Sequence, residues 1–354
     1  MSIQLGHLKI DQASRPVWIG EIGVNHQGNM NLAYKLITAL SQAGANVAKF
    51  QLHLPEFEMI DDSHPLWQVL SETALNINNL IRLKRHTEEL GMEFLCSAFC
   101  MEAFDQLETI NPVALKLGSG ELNNIPLQLH VAKKGKPMIV STGMSSLGEV
   151  KETLQAIREH NQQIVLMNCA STYPATPRQS RLMRIDALKQ TLQKYKEPPY
   201  VRLWDCLVGQ SDHTPTISTC LGAIARGAVV IEKHVTLDKN MKGPDHAASI
   251  TPEEFKQMVV MGNEIWEGTQ AEKEEIYEVM EEEKKVRSWA NHSLVTTRAI
   301  KKERVIKEGD LTTKRPGDGG IGIPASKYTD VVGKTAMRDL EAGHQLQSMD
   351  LGWA

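Results

Sequence analysis

The 354-residue sequence predicts an α/β protein, a (β/α)8 TIM barrel followed by a small β-rich domain. Three observations carry this. Short apolar runs alternate with longer amphipathic stretches about eight times, which argues for a parallel sheet with crossover helices. Polar and titratable residues stand directly after nearly every run. Near Trp289 the texture changes to short β-branched pieces separated by Gly, Pro and Asp. An open doubly wound sheet is the alternative, weakened because no GxGxxG turn follows the first run.

The runs are Val17–Ile22, Val47–Phe50, Glu93–Ser97, Ala114–Leu117, Met138–Val140, Ile164–Asn168, Leu207–Gly209 and Val229–Ile231. Between them Asn31–Ala43, Asn78–Leu90 and Leu147–His160 carry helical stripes, with Gly44 and Gly91 placed as C-terminal caps. Pro252–Val286 reads as one long helix whose Glu- and Lys-rich part is a solvated face. Leu294–Thr297 and Val331–Thr335 read as β pieces, and no short internal repeat is apparent. The expected domains are residues 1–288 and 289–354.

Composition is ordinary for a globular chain, with 41% hydrophobic and 23% charged residues. A formal net charge of −4 gives no reason to expect a nucleic-acid or anionic-membrane partner. The five cysteines form no CxxC pair and mostly sit in apolar runs, so they read as small buried hydrophobes in a reducing compartment. With no apolar leader and no run near the roughly 20 residues of a membrane span, the expected location is cytoplasmic.

In a parallel barrel, catalytic groups project from the C-terminal strand ends. Those ends carry Glu21, then Lys49 and Gln51, then Lys116, Ser119 and Glu121, then Ser141, Tyr173, Ser211 and His213, and finally Glu232 and His234. Any one could be a cap or a turn residue; their recurrence argues for a site. His213 and His234 follow the neighbouring seventh and eighth runs, where two imidazoles suit a borderline divalent metal. The Gly243-Pro244-Asp245 loop could bring Asp245 over the same opening. Lys49 and Lys116 need anionic partners, and the turns Gly118–Gly120 and Ser141–Gly143 could cradle a phosphate. The competing reading pairs both lysines with Glu21, Glu121 or Glu232, and both readings can hold in one site.

Taken together, EIGVNHQG, KFQ, KLGSGELNN, STGM, SDHT, EKH and GPDHAASI, with KRPGDGGIGIP and VVGK further on, resemble the sialic acid (N-acetylneuraminate) synthase family. The resemblance spans nearly the whole chain in order. It implies a barrel with an antifreeze-like (SAF) C-terminal domain, in a homodimer whose small domain covers the partner's barrel. It implies condensation of phosphoenolpyruvate with N-acetylmannosamine, or a close acylamino sugar, and water. The products would be a nonulosonic acid and phosphate. Manganese is the implied ion, with magnesium or cobalt as alternatives, held by His213 and His234. Lys49, Lys116, Ser119, Ser141 and Ser211 match residues around phosphoenolpyruvate. Glu21, Gln51, Glu121, Tyr173 and Asp245 match residues near the sugar, and Arg315 matches an arginine that crosses the dimer to the acyl group. Leu52, the WANHSLV stretch and the lengthened GGIGIP loop depart from the family pattern. The alternatives are a legionaminic or pseudaminic acid synthase using a diacetamido hexose, a 6-phosphate-dependent synthase, a Schiff-base aldolase using Lys49, Lys116 or Lys233, and a non-enzymatic polysaccharide- or ice-binding protein.

Overall fold

The computed structural model describes residues 2–193, 206–270, 276 and 278–353. A hairpin of β1 (Ile3–Leu5) and β2 (Leu8–Ile10) opens the chain. Eight parallel strands then close on themselves: β3 (Val17–Glu21), β4 (Val47–Leu52), β5 (Glu93–Ala98), β6 (Leu115–Leu117), β7 (Met138–Ser141), β8 (Ile164–Cys169), β9 (Leu207–Asp212) and β10 (Val230–His234). β10 pairs with both β9 and β3. All eight apolar runs are strands of this barrel. Several continue past the run, β4 to Leu52, β9 to Asp212 and β10 to His234, so groups expected in loops stand on strands.

Successive side chains of a strand point to opposite faces. One row faces the helices and holds Trp18, Phe50, Phe94 and Ile231. The other row faces the barrel interior and begins with Val17, Val47, Leu95, Ile139, Val165, Leu207 and Val230. Ile3, Leu5 and Ile10 of the hairpin pack into that interior cluster and close the N-terminal end of the barrel. No feature of the residue pattern announces this plug. Towards the C-terminal ends the same interior rows turn polar: Glu21 follows Ile19, Lys49 and Gln51 follow Val47, and Glu232 and His234 follow Val230.

The expected helices appear as Met30–Gln42, Ile77–Glu89 and Leu147–Ile157, with Gly44 and Gly91 just beyond the first two. The single helix expected over Pro252–Val286 is instead Pro252–Gly268 and Glu281–Ala290. Gly268 and Thr269, both poor helix formers, end the first, and Thr269 Oγ1 donates to the Trp266 carbonyl at 2.7 Å. Three glutamates at the favourable N-terminal end of the macrodipole start the second. Residues 271–275 and 277 of the expected helix lie outside the described residues.

Two compact units result, Met1–Gln270 and Ala271–Ala354. The boundary expected at Trp289 falls inside the helix Glu281–Ala290, which groups with the second unit. That unit has its own core around Leu294, Ile306 and Leu346 and a two-stranded sheet, β11 (Ser293–Thr296) with β12 (Leu311–Lys314). The β piece expected at Val331–Thr335 is a helical turn, Tyr328–Val331, and Thr335 only bridges Val305.

An internal repeat, not apparent from the sequence, emerges here. Arg298 pairs with Asp310, and Arg338 pairs with Asp350, each twelve residues on. Each aspartate closes a 3₁₀ turn, accepting from the backbone of Lys307 at 2.9 Å or Gln347 at 2.8 Å. Each is followed by a buried leucine, Leu311 or Leu351. The shared residues are few and widely spaced, which hides the repeat in the sequence.

Lys233 lies on the helix-facing row of β10. It is fully buried, paired with Asp212 and donating to the Thr214 carbonyl. It does not line the cavity, which removes it from the lysines available to a Schiff base. Lys233→Ala should destabilise the fold by about 3–5 kcal/mol by leaving Asp212 buried and unpaired. Denaturant unfolding measures this, and a loss below about 1 kcal/mol would show that the pair is solvated.

Candidate active site

A cavity of about 440 Å³ opens at the C-terminal ends of the strands. A second lobe of about 390 Å³ adjoins it and shares Gln51, Leu66, Phe99, Glu121, Tyr173 and His234. Apart from Lys233, the barrel side chains singled out from the sequence line one lobe or the other.

The inner lobe is built on charge. Lys49 Nζ lies 2.7 Å from Glu21 Oε2 and 3.5 Å from Glu232 Oε1, and it donates to Ser97 Oγ at 2.9 Å. Lys116 Nζ donates to Ser141 Oγ at 2.9 Å and lies 3.8 Å from Glu232 Oε1. Ser211 Oγ donates to the same Glu232 oxygen at 3.2 Å. All four charged side chains are nearly inaccessible to solvent, so each depends on the others to offset desolvation. Burial pushes Glu21 up to about 7 against the pull of Lys49, and Glu232 adds to the rise. Burial also acts to raise Glu232, but Lys116 and Lys49 outweigh it and hold that carboxyl low. Burial, joined by Lys49, lowers Lys116 despite Glu232. The pairing expected as the competing reading is thus present, inside a cavity that still has room for a ligand.

Close backbone approach shapes this wall. At Gly23 (φ +53°) an added Cβ would lie 3.0 Å from Asp245 Oδ2 and 3.3 Å from both Glu21 Oε1 and His234 Cε1. At Gly143 it would meet Ser171 Oγ and Ser119 Oγ at 2.2 and 2.6 Å, and the Gly143 N–H instead donates to Ser119 Oγ at 3.1 Å.

His213 and His234 sit with ring centroids 5.2 Å apart, and Tyr173 stacks on His213 at 4.0 Å. His213 Nδ1–H donates to the Ala170 carbonyl at 2.7 Å, which leaves Nε2 as the lone-pair nitrogen of the neutral ring. Burial, then the neighbouring His213, hold His234 well below its ordinary value. Its Nδ1 is buried, has no hydrogen-bond partner and lies 3.5 Å from Asp245 Oδ2. Among the described residues no cluster of three or more His, Cys, Asp or Glu is arranged to enclose a metal. His213 Nε2 and the unpartnered His234 Nδ1 are ring nitrogens of the kind a borderline divalent ion takes.

The outer lobe carries more aliphatic side chains and was not foreseen. Pro55–Glu58 and Pro65–Thr73, two helices with proline in the first turn, supply Glu58, Leu66, Val69 and Leu70, and Met59 follows the first of them. Those prolines were the available signal. His53, Glu58 and Cys169 are not among the residues expected at the site, and Glu232 is expected there only as a strand-end residue and lysine partner. The β10 alternation puts Glu232 in the same row as His234 and so into the chamber. Cys169 departs from the bland reading of the cysteines: it lines the cavity, with Sγ 3.9 Å from His213 Nδ1. Arg315 belongs to the second unit, where it is exposed just past β12.

Interior rows that end in a shared charged chamber give the barrel the build of a catalytic site, and comparison gives its kind. The NeuB family profile matches residues 36–274 and the SAF domain profile residues 291–351, so the chain belongs to the NeuB family of synthases. It is 34% identical over 337 residues to the N,N'-diacetyllegionaminic acid synthase of Campylobacter jejuni, covering 91% of this chain and 96% of that one. It is 32% identical over 253 residues to the human N-acetylneuraminate-9-phosphate synthase, covering 68% and 67%. The structure of the N-acetylneuraminic acid (sialic acid) synthetase of Leptospira borgpetersenii, in complex with citrate, superposes with a TM-score of 0.72 at 27% identity, covering 81% of this chain and 95% of that one. No helix among the described residues is long and apolar enough to cross a membrane.

Burial pushes Glu121 up to about 7 from 4.5, against the pull of Lys116. A carboxyl that holds its proton more tightly when folded stabilises fully below its unfolded value, and that contribution is lost as pH rises through its folded value. Glu121→Gln should therefore flatten part of the fall in Tm between pH 4.5 and about 7. Thermal unfolding across that range measures it, and an unchanged slope would assign the titration to another group.

Proposed function

We propose that the enzyme condenses phosphoenolpyruvate with an N-acylated amino sugar and water, giving a nonulosonic acid and phosphate. The observation that carries this is the pair of buried lysines, each donating to a serine at 2.9 Å, in a chamber with room for a small anion. Lys49 and Lys116, with Ser119, Ser141 and Ser211, bind the phosphate and carboxylate of phosphoenolpyruvate. C3 of phosphoenolpyruvate bonds to the aldehyde carbon of the open-chain sugar, and water adds at C2. Cleavage of the C2–O bond then releases phosphate. Glu21, oriented by Gln51, faces the sugar side and serves for proton transfer and for placing the water. Glu121, Tyr173 and Asp245 border the sugar from the outer lobe. His213 and His234 would hold a divalent ion, manganese by expectation, which when bound supplies Lewis acidity to the sugar carbonyl.

N-acetylmannosamine is the first candidate sugar. A diacetamido hexose is the second reading, favoured by the aliphatic side chains Met59, Leu66, Val69 and Leu70 of the outer lobe and by the likeness to a diacetyllegionaminic acid synthase. We expect phosphate release from phosphoenolpyruvate that depends on one of these sugars and is abolished by EDTA. A panel of N-acetylmannosamine, its 6-phosphate and diacetamido hexoses tests this, and release with none of them overturns it. His213→Ala and His234→Ala should each abolish metal-dependent turnover; normal activity in both would remove the ion from this pair. Arg315 is expected to reach the acyl group from a second copy of the chain. Arg315→Ala mixed with Glu21→Gln should then regain activity that neither has alone, and mixed dimers without regain would count against a shared site.

A further inference from the structure

His53 stands just beyond the end of β4, nearly buried, its ring stacked on Phe99 with centroids 4.3 Å apart and planes at 10°. Both ring nitrogens are engaged. Nε2 is 2.9 Å from Gln51 Oε1, and Nδ1 is 2.8 Å from Glu58 Oε2. Glu58 is itself fixed, its other oxygen accepting from the Leu54 N–H at 2.6 Å. Gln51 Nε2 donates to Glu21 Oε1 at 2.6 Å, and Glu21 Oε2 meets Lys49. One chain of polar contacts thus runs from the outer lobe to the charged chamber.

Donor and acceptor capacity sets its direction. An ionised Glu21 only accepts, so the amide nitrogen of Gln51 must face it and the amide oxygen must face His53. His53 Nε2 therefore carries a hydrogen and donates, and one proton lies between Nδ1 and Glu58. Without His53, the Gln51 oxygen loses its donor, and the amide is free to rotate away from Glu21.

We propose that His53, clamped by Glu58 and Phe99, is a positioning residue that commits the Gln51 amide to Glu21 and so fixes the carboxylate facing the sugar. The proposal rests on the reading of Glu21 given above. His53→Phe keeps the stacking surface and removes both nitrogens. It should lower kcat roughly 10- to 100-fold, the usual cost of losing a partner that orients a working group, with the phosphoenolpyruvate KM and the Tm little changed. His53→Gln, which retains an N–H for Gln51, should recover most of the rate, and Glu58→Ala should resemble His53→Phe more weakly. Wild-type kcat in His53→Phe would overturn the proposal, as would equal losses in the Phe and Gln variants. Crystal structures of the wild type and His53→Phe test the clamp without turnover. The Gln51 amide should hydrogen-bond Glu21 in the first and leave it in the second; retention in both overturns the proposal. If the wild type releases no phosphate with any sugar, the function proposed above fails, while the crystal structures still decide whether the clamp exists.

Discussion

Closure of eight parallel strands is the constraint on which the rest of this molecule depends. Once the sheet closes, alternate residues of every strand share one interior space. Each interior row therefore has two tasks along its length. Near the N-terminal end it packs the core, with Val47, Leu95 and Ile139 against the hairpin residues Ile3 and Leu5. Two or four residues on, the same rows deliver Lys49, Gln51, Ser97 and Ser141 to the chamber. Stability and chemistry are stacked along one axis, and a one-residue slip in any strand would exchange its chamber groups for helix-facing ones.

The charges of the chamber are mutually dependent. Two lysines and two glutamates sit almost without water, and none would remain ionised cheaply alone. Glu232 is the hinge of the arrangement, within 4 Å of both lysines and accepting from Ser211. Several acceptors nevertheless lack hydrogen bonds, among them Glu121 Oε2, Glu232 Oε2 and His234 Nδ1; Glu21 Oε2 touches Lys49 without hydrogen-bond alignment. Buried polar groups are seldom left so. Neighbouring side chains fix the rest of the chamber's charges, Lys49 by Ser97 and Lys116 by Ser141, the kind of arrangement electrostatic preorganisation requires.

Much of this was legible in the sequence because a barrel writes its strands as short apolar runs and sets its working groups directly after them. The runs located every barrel strand, and Lys49, Lys116, His213 and His234 stood where those runs ended. The features that stayed hidden depend on contacts between distant segments. The pairing of His53 with Glu58 needs a helix that only the prolines hinted at. The turning of Lys233 away from the chamber depends on strand parity, which the run Val229–Ile231 stopped short of showing. The expected helix over Pro252–Val286 failed because its apolar spacing continues past Gly268, where the backbone does not. The repeat in the second unit rests on two Arg–Asp pairs spread through otherwise unlike residues.

The hairpin at the foot of the barrel has a consequence for traffic. With that end packed by Ile3, Leu5 and Ile10, the shaft is blind, and molecules enter and leave by the same door. The lobe bearing Lys49 and Lys116 is the far end of that shaft, and the lobe bearing His53 and Asp245 adjoins it at the loops. Both lobes are therefore reached from the loop side. A floor of three aliphatic side chains, remote from every reacting group, thus leaves the chamber above to exchange its contents on the loop side.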